Sequence, residues 1–472
     1  MSKPTQAVHI LIFPYPAQGH ILPLLDLTHQ LALHGLTLTI LVTPKNLPTL
    51  NPLLSVHPSI QTLVLPMPHH PSLPAGVENV RELGGPGNVP ITNALGKLHD
   101  PIIHWFNSHP NPPVALISDF FLGWTLHLAN KLGIPRIAFY SSGAFLASVT
   151  NFLWQNLKTV RSLPAVDFPN LPGSPCFAAE QLPSMFRVYR ESEPELEFLK
   201  DGFLANVRSW GCIFNSFDGL EGEYLDHLRK EMGHGRVWGV GPVSLVGGYE
   251  TMGRANLDEK SGGGPGGVLS WLDGCPKGSV VYVCFGSQKS LNKDQMEALA
   301  FGLERSGIRF VWVVKSVSAQ EMVNGYGLIP DGFEDRVSDR GIVIKGWAPQ
   351  VLILNHRAVG GFLSHCGWNS TLEGIVAGVM ILAWPMEADQ FVNARILVED
   401  VGAAVRVCEG ADSVPDSVEL ARTIAESMSG NTAQKVKAKE LRDKAIEAVK
   451  EGGNSWKGLE ALVRELSQLG DH

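Results

Sequence analysis

Residues 8–35 read VHILIFPYPAQGHILPLLDLTHQLALHG. The apolar run Val8–Phe13 ends in a Pro/Gly-rich turn, and a helical pattern starts directly after His20. Strand, tight turn and helix in this order form the repeating unit of a parallel sheet covered by crossover helices. The same alternation predicts further strands at Leu36–Thr43, Ile60–Leu65, Val114–Ser118 and Ile134–Phe139. It returns in the second half at Val237–Val240, Val280–Phe285, Phe310–Val314, Gly341–Lys345, Gly360–Ser364 and Val379–Ala383. A chain of 472 residues is too long for one ordinary core, so two α/β domains are expected. Residues 247–267, GGYETMGRANLDEKSGGGPGG, have no apolar periodicity and suit an exposed connection between them. Ala433–Leu469 is helical in pattern, and Gly452-Gly453 divides it into two helices.

Composition narrows the function classes. With 44% hydrophobic and 18% charged residues the chain is that of a folded protein. A net charge of −8 gives no basic field for nucleic acid or an anionic bilayer. The cysteines at 176, 212, 275, 284, 366 and 408 lack the C-x-x-C spacing of zinc or redox sites and read as reduced thiols. Val8–Phe13 has no charged segment before it and no small-residue cleavage site after it, so no secretion signal is expected. The longest apolar stretch, Ile375–Met386, falls short of the ~20 residues of a membrane span. A cytoplasmic protein, without stable membrane insertion and monomeric, is the expectation.

His20 stands where a strand ends and a helix begins, and ligands of open parallel sheets bind outside the carboxyl ends of strands. A turn histidine is the plainer alternative. Asp119 ends the strand VALISD and reads either as a helix N-cap or as a carboxylate that orients His20. In the second half, GGFLSHCGWNS runs from a strand through His365 into a helix, so that Trp368, Asn369 and Ser370 bring backbone N–H groups to a helix start, where phosphate binds readily. Gly286-Ser287 makes a similar turn after VVYVCF, although an ordinary βα turn would look the same. No D-x-D triplet occurs that would chelate a divalent cation, and no G-x-G-x-x-G follows a predicted strand. The second absence argues against a nicotinamide or flavin oxidoreductase.

Residues 347–390, WAPQVLILNHRAVGGFLSHCGWNSTLEGIVAGVMILAWPMEADQ, closely resemble the signature segment of plant family 1 UDP-glycosyltransferases. The His20 turn, the Asp119 strand end, the FGS turn and the length are similar to that family as well. The resemblance implies a GT-B architecture, two Rossmann-like doubly wound parallel-sheet domains facing a central cleft. It implies an acceptor-binding domain over 1–245, a linker over 246–267, a UDP-sugar-binding domain over 268–455, and a C-terminal helix over 456–472 packing back on the first domain. It also implies His20 as general base and Asp119 as its partner. Trp347 would stack on uracil, with Ala348 and Gln350 at the base edge. Ser287, His365, Trp368, Asn369 and Ser370 would hold the diphosphate and Glu373 the ribose. Trp368, Asp389, Gln390 and Ser141 would meet the sugar.

By the same resemblance Gln390 favours UDP-glucose, with UDP-galactose, UDP-xylose and UDP-rhamnose as alternatives, and neither metal nor cofactor is expected. Met380 follows Gly378-Val379 where the family usually has proline. The branch most similar to this chain glycosylates flavonols and hydroxybenzoates. Phe120, Phe121, Trp124, Tyr140, Phe145, Trp154 and Phe186 are candidates for an apolar acceptor pocket, with core packing as the competing role. The expected reaction is transfer of glucose to a hydroxyl of a small, largely apolar phenolic acceptor. A nucleotide-sugar binding protein without catalysis is the other reading.

Overall fold

The structure, a computed structural model, describes residues 8–83, 88–245 and 265–471. They divide into two compact units, the first drawn from Met1–Ala179, Met185–Met252 and Glu447–His472, the second from Glu180–Ser184 and Gly253–Ile446. Of the expected connection 246–267, residues 246–264 lie outside the described residues, and Pro265 opens the helix Pro265–Asp273. Proline is tolerated at a helix start because it lacks only an N–H that would have no intrahelical partner.

In the first unit the strands are β1 (His9–Phe13), β2 (Thr37–Val42), β3 (Gln61–Val64), β4 (Ala115–Asp119), β5 (Arg136–Tyr140), β6 (Ala165–Asp167), β7 (Cys176–Ala178), β8 (Gly211–Phe214) and β9 (Val237–Gly239). Seven of them form one parallel sheet in the order β3-β2-β1-β4-β5-β8-β9, and β6 and β7 pair separately as an antiparallel ribbon. β1 is buried throughout because helices cover both faces. Ile10 and Ile12 join one core with Leu24, Leu27 and Leu31 of the helix Gln18–Leu33. Leu11 and Phe13 join the other, with Ile91, Leu95, Ile102 and Leu128. The helix Asn454–Gln468 closes the first of these cores with Leu459, Leu462 and Leu466. Arg236 bonded to Glu465 and His34 bonded to Glu460 flank it.

The second unit holds β10 (Val280–Cys284), β11 (Arg309–Val314), β12 (Gly341–Lys345), β13 (Val359–Ser364), β14 (Met380–Ala383) and β15 (Ala404–Arg406), all parallel, in the order β12-β11-β10-β13-β14-β15. Four strands escape the sequence pattern: β6, β7 and β15, of three residues each, and β8, of four. The strand at Val237, grouped above with the second half, is the edge of the first sheet and pairs with β8. A run this short carries no signal of which sheet it joins.

In each sheet the strand order reverses once, between β1 and β4 and between β10 and β13. At such a reversal the connecting helices leave on opposite faces, and the carboxyl ends of the two strands open a crevice where ligands bind. Of the residues expected to carry chemistry, His20 follows β1, Asp119 ends β4, and Ser287 and His365 follow β10 and β13, while Ser141 follows β5, Trp347 follows β12, and Asp389 and Gln390 follow β14.

Candidate active site

His20 lies in the first turn of the helix that follows β1, and Asp119 is the last residue of β4. The register pairing Phe13 with Ser118 brings the two strand ends side by side. His20 Nδ1 lies 2.9 Å from Asp119 Oδ2. The Asp119 side chain is fully buried, whereas 18% of the His20 side chain remains exposed. The other carboxylate oxygen, Oδ1, accepts the Phe121 N–H at 2.9 Å, so Asp119 is both N-cap of the turn Phe120–Leu122 and partner of the histidine. The two readings of Asp119 are therefore compatible.

Ser141, expected at the sugar, stands beside this pair, with Oγ 3.0 Å from His20 Nδ1 and 3.5 Å from Asp119 Oδ2. A Nδ1–H directed at the carboxylate leaves Nε2 as the basic nitrogen.

Aromatic rings surround the imidazole. Phe120 stacks on it with centroids 5.5 Å apart, and Tyr15 and Phe121 meet it edge-on at 5.2 Å each. Tyr140 stacks behind Phe120, and Phe214 behind Tyr140. Phe203, which the sequence reading missed along with Tyr15, packs edge-on against Phe121. Phe121 and Phe203 are only half-buried. The remaining candidates are buried against other rings: Trp124 packs edge-on to Phe13, Phe145 stacks on Tyr224, and Trp154 packs edge-on to Phe186 and stacks on Phe203.

In the second unit His365 follows β13 and Ser287 follows β10. A Cβ on Gly286 would lie 2.7 Å from His365 Nε2, and one on Gly367 would lie 2.6 Å from it, so two bare glycines clasp the ring. Burial drives this imidazole down to about 4, against the pull of the Cys284 carbonyl, and it is neutral at physiological pH. Beyond it the helix Trp368–Ala377 starts at Gly367 with no side-chain cap bond and no acidic residue in its first turn. That end favours an anion.

Trp347 exposes 38% of its surface next to the buried Ala348. Gln350 draws this segment to the helix, donating to Ser370 Oγ at 3.1 Å and to Glu373 Oε2 at 2.7 Å. Farther along, Gln390 Oε1 accepts the N–H groups of Met386 and Glu387 at 2.9 and 3.0 Å, which leaves its NH2 end to donate. Buried Asn393 bonds both the Cys366 carbonyl and Asp389, fastening the His365 turn to the Asp389-Gln390 segment. Asn393 carries no signal in the sequence, since a polar residue in a helix reads as surface.

Among the described residues no group of three or more His, Cys, Asp or Glu side chains is placed to hold a metal ion. None of their helices is long and apolar enough to cross a membrane.

Comparison with known proteins agrees with this layout. Residues 270–429 match the family model of UDP-glucuronosyl and UDP-glucosyl transferases. UDP-glycosyltransferase 89A2 of Arabidopsis thaliana is 53% identical over 472 residues, 99% of this chain and 98% of that one. Flavonol 3-O-glucosyltransferase UGT89B1 of the same plant is 49% identical, covering 99% of this chain and 98% of its own. The crystal structure of Arabidopsis thaliana UGT89C1 complexed with UDP-L-rhamnose superposes with a TM-score of 0.81 at 40% identity, over 98% of this chain and 100% of that one. The same protein has also been solved with quercetin. Two doubly wound sheets, with the candidate residues His20, Asp119, Ser287 and His365 at their strand-order reversals, and identity near one half along almost all of the sequence place this chain in the plant family 1 UDP-glycosyltransferases.

Proposed function

We propose that this enzyme transfers glucose from UDP-glucose to a hydroxyl of a flavonol or similar planar phenol, with inversion at the anomeric carbon and without metal or cofactor. The observation that carries the reading is the His20–Asp119 pair set among aromatic rings at the β1/β4 reversal. His20 Nε2 takes the proton of the acceptor hydroxyl, whose oxygen attacks C1 of the sugar. The bond from C1 to the β-phosphate oxygen breaks, UDP leaves with that electron pair, and an α-linked donor gives a β-glucoside. Asp119 stabilises the imidazolium that forms. The half-buried faces of Phe121 and Phe203 suit a flat aromatic acceptor, in keeping with relatives named for flavonols or solved with quercetin.

On the donor side, Trp347 offers a face for uracil, Glu373 a carboxylate for ribose, and the helix end at Trp368 with neutral His365 a place for the diphosphate. Gln390 supports glucose, as does the relative named a glucosyltransferase, while the UDP-L-rhamnose complex of UGT89C1 favours rhamnose as the alternative.

The test supplies UDP-glucose, UDP-rhamnose, UDP-xylose and UDP-galactose in turn with flavonols and hydroxybenzoates, reading product mass and UDP release. A glucoside with UDP-glucose, and a loss of about 10²–10⁴ in kcat for His20→Ala at unchanged UDP affinity, are the expected results. A deoxyhexosyl or pentosyl product would overturn the donor, and wild-type kcat in His20→Ala would overturn the base.

A further inference from the structure

Arg136 opens β5 and is 1% exposed, a guanidinium sealed inside the first unit. Its hydrogen bonds run to neutral acceptors. Nε donates to Ser118 Oγ at 2.9 Å, Nη1 to Asn206 Oδ1 at 2.7 Å and Ser209 Oγ at 2.8 Å, and Nη2 to the Asp119 carbonyl at 3.2 Å. Burial pulls this group down to about 10. A buried cation with no carboxylate bonded to it is expensive to keep, and packing alone would be served as well by an apolar residue. What arginine alone supplies is a rigid planar fork that reaches several acceptors at fixed angles.

Those acceptors surround one turn. Asn206, itself fully buried, accepts from Arg136 and donates through Nδ2 to the Phe120 carbonyl at 2.9 Å. Ser118 through its hydroxyl, Asp119 through its carbonyl and Phe120 through its carbonyl are thus held consecutively from inside. With that backbone fixed, one Asp119 oxygen caps Phe121 and the other meets His20. Asn206 also ends the helix Pro194–Asn206, which carries Phe203.

We propose that Arg136 is a positioning residue for glycosyl transfer: with Asn206 it clamps the turn presenting Asp119 to His20 and ties that turn to the helix bearing Phe203. The inference rests on His20 acting as the base. A displacement of about 1 Å in such a constellation is enough to slow a reaction ~10²-fold.

The test compares wild type, Asn206→Ala, Arg136→Lys and His20→Ala with UDP-glucose and a series of phenols running from alkyl- to nitro-substituted. A nitrophenol ionises readily and needs little from the base, whereas an alkylphenol depends on it. Asn206→Ala and Arg136→Lys should bind UDP within about twofold of wild type, lose at least about tenfold in kcat on the alkylphenol, and recover most of that loss on the nitrophenol. Wild-type rates, or a loss equal on every phenol, would overturn the clamp, since damage to the fold lowers all rates alike. Should Arg136→Lys fail to fold, Asn206→Ala alone decides. Wild-type kcat in His20→Ala would instead overturn the base itself. A selective loss in His20→Ala beside unchanged clamp variants would overturn the clamp only.

Discussion

Glu221 closes the amino end of the helix Ala144–Gln155, one carboxylate oxygen accepting the Ala144 N–H at 2.9 Å and the other the Phe145 N–H at 2.8 Å. The helix Trp368–Ala377 of the second unit starts instead at Gly367, which has no side chain to cap it, and no acidic residue follows in its first turn. The positive end of a helix dipole favours negative charge, and at the first unit's helix Glu221 already supplies it.

Glu221→Ala should therefore destabilise the protein by about 3 kcal/mol, because buried N–H groups lose their acceptors. Urea unfolding followed by tryptophan fluorescence measures it. Burial raises the Glu221 carboxyl above its ordinary 4.5, more than its Ser216 and backbone bonds lower it. Its contribution to stability is then full below the ordinary value and is lost as pH climbs through the raised one. Glu221→Gln should remove that part of the pH dependence, and an unchanged slope of stability against pH in this variant would contradict the assignment.

His365 makes the opposite case. A histidine of ordinary value changes charge near neutrality, but this one stays neutral until about 4. UDP affinity measured by calorimetry should show no titration from this ring between about pH 5 and 8. Gly286→Ala, which puts a methyl into the ring from a left-handed backbone position (φ +75°), should weaken UDP at least about tenfold. An unchanged Kd would mean that the ring does not serve the nucleotide.

Gln390 separates two roles within one amide. Gln390→Glu keeps an acceptor for the Met386 and Glu387 N–H groups but loses the NH2, so melting temperature and UDP affinity should hold while kcat/KM for UDP-glucose falls about tenfold or more. Equal kcat/KM in the two proteins would remove Gln390 from donor recognition.

Asp119→Asn keeps an oxygen for the Phe121 N–H and removes the charge facing His20. It should melt near the wild type and lose about 10²–10⁴ in kcat. A loss within about tenfold would make Asp119 a cap and little more.

The sequence discloses the parts whose logic is local. β1 announces itself because an apolar run ends in a proline-rich turn and a helix pattern, and the segment 347–390 because its residues are contiguous. Hidden are the residues whose purpose depends on distant partners. Arg136, a charge at the start of a strand, reads as surface, and only the fold brings it Ser118 from 18 residues away and Asn206 from 70. Glu221, in a charged amphipathic helix, is equally mute until its bonds to Ala144 and Phe145, 77 and 76 residues before it, are visible. Among the aromatic candidates, composition could not separate Phe120, which lies on the imidazole, from Phe145, which packs on Tyr224. Both follow a strand, and burial alone does not say which ring faces the base.

The helix Asn454–Gln468 completes a core that β1 begins. On the ribosome the first sheet is made early and its helix Gln18–Leu33 with it, yet the part of the core that Leu459, Leu462 and Leu466 fill stays open until they have emerged, whereas nearly all of the second unit has by then been synthesised. Of the two units, the one begun first is the one finished last.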